Sequence, residues 1–120
     1  MRYLLIAVLL YIAVPQTGCY YDKAELLNPG NICDTTTITY SFSVNPILTA
    51  NCTGCHSGAN APNGVRLDTY EGVKIQVLNG FLVGVITHSA GYSPMPKNGT
   101  KLSDCSINKI RKWIADNYPP

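Results

Sequence analysis

A chain of 120 residues is long enough for one small domain and too short for two. With 46% hydrophobic residues, 13% charged residues and a formal net charge of +2, it has neither the polarity of a disordered segment nor the basic excess of a nucleic-acid binder. Domains of this size bury a limited core and are commonly stapled by a disulfide or a prosthetic group.

The first stretch reads as an export signal. Arg2 supplies a positive charge, and Tyr3–Val14 is a run of twelve uncharged, mostly apolar residues ended by Pro15. A bilayer span needs roughly 20 residues, so the run fits a secretory signal better than a membrane helix. Gln16-Thr17-Gly18-Cys19 resembles a bacterial lipoprotein processing box, although Gln16 stands where such boxes usually carry an aliphatic residue. That resemblance makes Cys19 the acylated first residue of the mature chain. A plain signal peptide cut nearby, or an uncleaved anchor, is the alternative. Residues 1–18 are therefore expected to be the signal, 19–39 a tether and extended lead-in, and 40–120 the folded domain. Export places that domain on the periplasmic side of a membrane, inner or outer, where each thiol needs a partner or a chemical role.

Asn28-Pro29-Gly30 is a turn signal inside the tether. Thr35–Val44 alternates and is rich in Thr, which predicts an extended run. Asn45-Pro46 then predicts a helix start, with Asn45 as N-cap and Pro46 at the first helical position. Through Ile47 and Leu48 this helix leads into Asn51-Cys52-Thr53-Gly54-Cys55-His56-Ser57-Gly58, which sets two thiols and an imidazole within five positions.

Three chemistries use such a cluster. Thiol–disulfide exchange uses a Cys-x-x-Cys pair, but usually at the start of a helix after a strand, and no such pattern surrounds this one. Zinc needs two further ligands, for which the sequence offers only the scattered Cys33, His88 and Cys105. A covalently attached haem needs nothing more: Cys52 and Cys55 form thioethers with the vinyl groups, and His56 ligates the iron.

Past a loop over Ser57–Gly64, Asp68-Thr69-Tyr70-Glu71 reads as a capping box with Asp68 as N-cap. Tyr70, Val73, Val77 and Leu78 then fall on one helical face, and Asn79-Gly80 closes the element. Phe81–Thr87 is a second short apolar segment, predicted helical. It leads to Ser93-Pro94-Met95-Pro96-Lys97, which holds the only methionine left once the signal is removed. Prolines on both sides stiffen the loop, as the presentation of a neutral thioether at a fixed place requires. Met95 is thus the expected second iron ligand; His88 and an open position are the rivals.

The last helix is predicted from Ser103 as N-cap to about Asn117. Leu102 and Ile107 form a hydrophobic staple, and Ile107, Ile110, Trp113 and Ile114 form an apolar stripe, with Trp113 read as core. Five basic residues, Lys97, Lys101, Lys109, Arg111 and Lys112, follow the methionine loop against Asp104 and Asp116. They form either a solvated surface or a face that steers an acidic redox partner. Arg66 is a candidate contact for a haem propionate, or a solvated side chain.

The CTGCH motif, a Pro-Met-Pro loop some forty positions on and a terminal helix with Trp113 together resemble the cytochrome c family, more narrowly the small exported bacterial monohaem cytochromes with a lipidated N-terminus. The resemblance spans about Tyr40–Asn117. It implies an all-α fold of about three to four short helices wrapped round one haem c. It also implies covalent attachment at Cys52 and Cys55, iron ligation by His56 and Met95, and electron transfer rather than catalysis. The expected partners are acidic-surfaced membrane oxidases or reductases, with the membrane itself reached through lipid on Cys19. The long lead from Cys19 to Thr39 departs from the basic family pattern. A haem enzyme or gas sensor with an open or displaceable sixth position is the alternative, and a structural zinc module is a third reading. If Cys19 carries lipid and Cys52 and Cys55 carry haem, Cys33 and Cys105 remain, either paired as a disulfide or as two buried thiols.

Overall fold

Tyr40, Val44 and Leu48 recur at four-residue intervals and are all buried in the computed structural model, which describes residues 33–120. The signal segment, the processing box at Cys19 and the tether as far as residue 32 lie outside the described residues. Four-residue spacing marks one face of a helix. The chain is helical from Tyr40 to Asn51, a π-helical turn over Tyr40–Val44 running directly into α1, Asn45–Asn51. Thr39 caps this unit, its hydroxyl accepting the Phe42 amide at 3.3 Å. The extended reading of Thr35–Val44 therefore fails from Tyr40 onward, and Asn45 is not the N-cap. Ile38, Tyr40, Phe42 and Val44 alternate, but Phe42 is 88% exposed between two buried neighbours. Residues four apart satisfy both the period of a strand and that of a helix, and the burial of Leu48 extends the helical one. Pro46 lacks an amide proton, and the change from π to α winding falls beside it.

After the CTGCH turn the chain crosses a loop containing one 3₁₀ turn, Pro62–Gly64, and enters α2, Tyr70–Leu78. Its N-cap is Thr69, whose hydroxyl accepts the Gly72 amide at 3.2 Å, not Asp68. The two adjacent residues are both good cap types, and Asp68 is committed elsewhere, to Arg66 and Gly58. Val73 and Val77 are buried as expected, but Leu78 is 66% exposed and drops out of the predicted face. Gly80, at φ 79°, ends α2 and opens α3, Phe81–Ile86. Left-handed backbone at that junction is what glycine tolerates best. A loop from Thr87 to Ser103 then leads to α4, Asp104–Ala115.

Helix α4 starts as its sequence dictates. The Ser103 hydroxyl accepts the Ser106 amide at 3.1 Å, and Leu102 and Ile107 are both buried beneath that cap. It ends at Ala115, with Asn117 left-handed at φ 67°. The amides of Asn117 and Tyr118 bond the carbonyls of Ile114 (3.2 Å) and Trp113 (3.0 Å), the pairing of a Schellman turn. That turn folds the C-terminal residues back onto the domain. The Pro119 carbonyl accepts both Trp113 Nε1 and the Tyr40 amide at 2.9 Å, and the Tyr70 hydroxyl donates to the Tyr118 carbonyl at 2.7 Å. Trp113 is fully buried, as read from the stripe, with Tyr40 and Tyr118 centroids 5.7 and 5.5 Å away.

Cys33 and Cys105 are joined as a disulfide, with their Cα atoms 5.3 Å apart. The bond ties the start of the described chain to the first turn of α4. Closing a loop of 72 residues stabilises the fold by about 4 kcal/mol through the unfolded chain's lost entropy. The described residues thus form an all-α domain, with no strand among them.

Candidate functional site

The CTGCH motif winds off the end of α1. Cys52 caps that helix, its amide bonding the Leu48 carbonyl at 2.8 Å, and the amides of Cys55 and His56 both return to the Cys52 carbonyl, at 3.1 and 2.9 Å. Both thiols are free. Cys55 is exposed, whereas Cys52 is half-buried and packs on the core. Burial pushes the Cys52 thiol up to about 11, the opposite direction from the depressed values of redox-active thiols.

His56 is fixed from two sides by the segment that precedes α2. Its carbonyl accepts the Leu67 amide at 2.8 Å, and its Nδ1 is 3.1 Å from the Val65 carbonyl. A carbonyl can only accept, so Nδ1 is the donor in this contact, and Nε2 is the ring nitrogen left for another partner. Sequence reasoning missed Val65, because a backbone carbonyl leaves no residue-type signature.

His56 and Met95 line the same cavity, of about 480 Å³. Val65 and Leu67 from the segment before α2, and Phe81, Leu82 and Val85 from α3, form its apolar surface; Asn63, Gln76, Asn79 and Ser93 add neutral polar groups. Among the described residues that line it, His56 is the one ionisable side chain. Cys52 and Cys55 are not among them; they stand on the turn that delivers His56. Nor is His88, whose Nε2 is 3.1 Å from the Met95 carbonyl. The Met95 amide in turn donates to the Val85 carbonyl at 3.1 Å.

Arg66 is exposed and outside the cavity lining. Its Nε and Nη2 both donate to the Asp68 carboxylate at 3.2 Å, and Asp68 also accepts the Gly58 amide at 3.0 Å. These bonds, the arginine's first, hold the Asp68 carboxyl below its ordinary value and tie the two ends of the loop together. Of the five basic residues after the methionine loop, Lys101 pairs with Asp104 and Lys112 with Asp116.

These residues fit a covalently held haem. The chain presents two free thiols at the spacing the resemblance implies, an imidazole held through Nδ1, an apolar cavity and a thioether on that cavity. Among the described residues, no three His, Cys, Asp or Glu side chains come together as a metal-binding cluster, so no zinc donor set is assembled there. No described helix is long and apolar enough to cross a membrane. No protein-family model matches the chain, and comparisons with curated proteins and with solved structures likewise gave no match.

Proposed function

We propose that this chain is an exported electron carrier that attaches one haem c through Cys52 and Cys55 and ligates its iron with His56 and Met95. The observation that carries the reading is that His56 and Met95 line one apolar cavity, with the His56 ring held by the Val65 carbonyl so that Nε2 is available to a metal. When bound, an iron between imidazole and thioether supplies reversible one-electron chemistry, and the neutral sulfur raises its potential.

Each residue has a defined task in that reading. Cys52 and Cys55 anchor the porphyrin beside His56. Val65, Leu67, Leu82 and Val85 keep the cavity apolar, which also tunes the potential. Among the described residues, no carboxylate lines the cavity. Lipid on Cys19 would confine the domain to the membrane surface, where Lys97, Lys109 and Arg111 would attract an acidic redox partner.

Visible spectra of the protein matured in a host that attaches haem test the reading. By the cytochrome resemblance, the reduced form should give a sharp α-band and the oxidised form a weak long-wavelength band from thioether ligation. Met95→Ala should remove that weak band. Its persistence in Met95→Ala would move the sixth ligand elsewhere, and rapid, tight binding of carbon monoxide by the reduced parent protein would favour a displaceable or open iron.

A further inference from the structure

His88 occupies a backbone position that its residue type disfavours. It follows α3 at φ 56°, in the left-handed region. The amides of His88 and Ser89 bond the carbonyls of Val85 (3.4 Å) and Gly84 (3.0 Å), so α3 ends in a Schellman turn with His88 where glycine is usual. A histidine there costs backbone energy that glycine would not. Histidine is one of the residue types that adopt this conformation when the side chain has a compensating task.

That task is visible in the loop. The end of α3 holds the Met95 peptide groups at both ends: the Val85 carbonyl accepts the Met95 amide at 3.1 Å, and His88 Nε2, 3.1 Å from the Met95 carbonyl, donates to it. Between Thr87 and Ser103 only Leu102 is buried, so apart from the Tyr92 ring seated on Gly84 and Phe81, side-chain packing contributes little to fixing this loop. We infer that His88 is a positioning residue, a backbone clamp that holds Met95 at the cavity, and not itself a ligand of the iron. The clamp rests on the reading of Met95 as the sixth ligand only for its effect on the iron; the hydrogen bonds stand without it.

The experiment compares the full matured protein with His88→Gly and His88→Gln. Glycine suits the left-handed backbone and removes the donor, while glutamine restores an N–H donor at similar reach. Amide hydrogen exchange at Met95 is followed by NMR, and imidazole is titrated into the oxidised protein by its visible spectrum. A neutral hydrogen bond corresponds to a factor of roughly three to ten. His88→Gly should therefore speed Met95 exchange and tighten imidazole binding by about that factor, without lowering the melting temperature, and His88→Gln should reverse most of both changes. Unchanged Met95 exchange in His88→Gly would overturn the clamp. So would equal acceleration in both variants. Loss of low-spin haem in His88→Gly, with its retention in Met95→Ala, would make His88 the ligand and also overturn it. If the parent protein carries no haem, the functional reading falls, while exchange at Met95 still decides whether the clamp exists.

Discussion

The end of the domain around Trp113 and the end around Met95 are held by different forces. Around Trp113, the rings of Tyr40, Tyr70 and Tyr118 meet a fully buried indole, two hydrogen bonds converge on the Pro119 carbonyl, and a disulfide pins Cys33 to α4. Around Met95, a loop of exposed and half-buried residues is fixed by single polar contacts from Val85 and His88 and by one aromatic ring, Tyr92, on Gly84 and Phe81. Burial is cooperative, because each ring packs against several others, whereas a lone hydrogen bond can open without its neighbours. The contrast separates stability from loop placement: one end determines whether the domain folds, the other where the Met95 thioether sits.

The sharpest way to test that separation is to injure the packed end. Trp113→Ala removes the largest fully buried side chain and a donor to Pro119, and should cost about 5 kcal/mol in denaturant unfolding. A cost below about 1 kcal/mol would mean the aromatic cluster is not the core of stability. Replacing Cys33 and Cys105 together by serine should cost about 4 kcal/mol and leave Met95 exchange in the native state nearly unchanged. Coupled loosening of the Met95 loop would break the proposed division.

Gly84 lies nearer the boundary. A Cβ there would stand 2.5 Å from three atoms of the Tyr92 ring, so Gly84→Ala must displace that ring and its edge contact with Phe81. The expected cost is about 1–3 kcal/mol, measured by thermal unfolding. Faster exchange in the Met95 loop should accompany it, because Tyr92 and Met95 belong to the same loop.

The smallest effect expected is electrostatic. Asp68 titrates below its ordinary value in the folded chain, so its contribution is present above the unfolded carboxylate value of about 3.9 and disappears as pH falls through the lower folded value. The group is exposed, and the loss should be local. Exchange at the Gly58 amide, corrected for its intrinsic pH dependence, should lose protection in acid while protection within α4 is retained. Simultaneous loss in both places would show global rather than local opening.

How much of this was legible beforehand depends on which atoms carry the information. Helix α4 was readable because Ser103, Leu102, Ile107 and the stripe to Trp113 all specify one element, and Gly80 marked the α2–α3 junction. The start of the first helix was misread because Tyr40 and Val44 satisfy two periodicities at once. Asp68 and Thr69 offered two adjacent caps, and the choice depended on Arg66 and Gly58, contacts that no local pattern encodes. At the site, side-chain types drew attention to Cys52, Cys55, His56 and Met95, but the groups that orient two of them are carbonyls and amides. Val65 holding His56, and Val85 holding Met95, act through atoms common to every residue and are therefore silent in the sequence. The sequence offers His88 only as a rival ligand, because its contact with Met95 depends on the turn after α3.

The most direct test of the central claim is the intact mass of the domain after expression in a host that attaches haem, compared with Cys52→Ala plus Cys55→Ala. The expected result is a mass increased by one haem that survives denaturation in the parent protein, and the unmodified mass in the double variant. A parent protein of unmodified mass, with Cys52 and Cys55 both open to alkylation, would contradict covalent haem attachment.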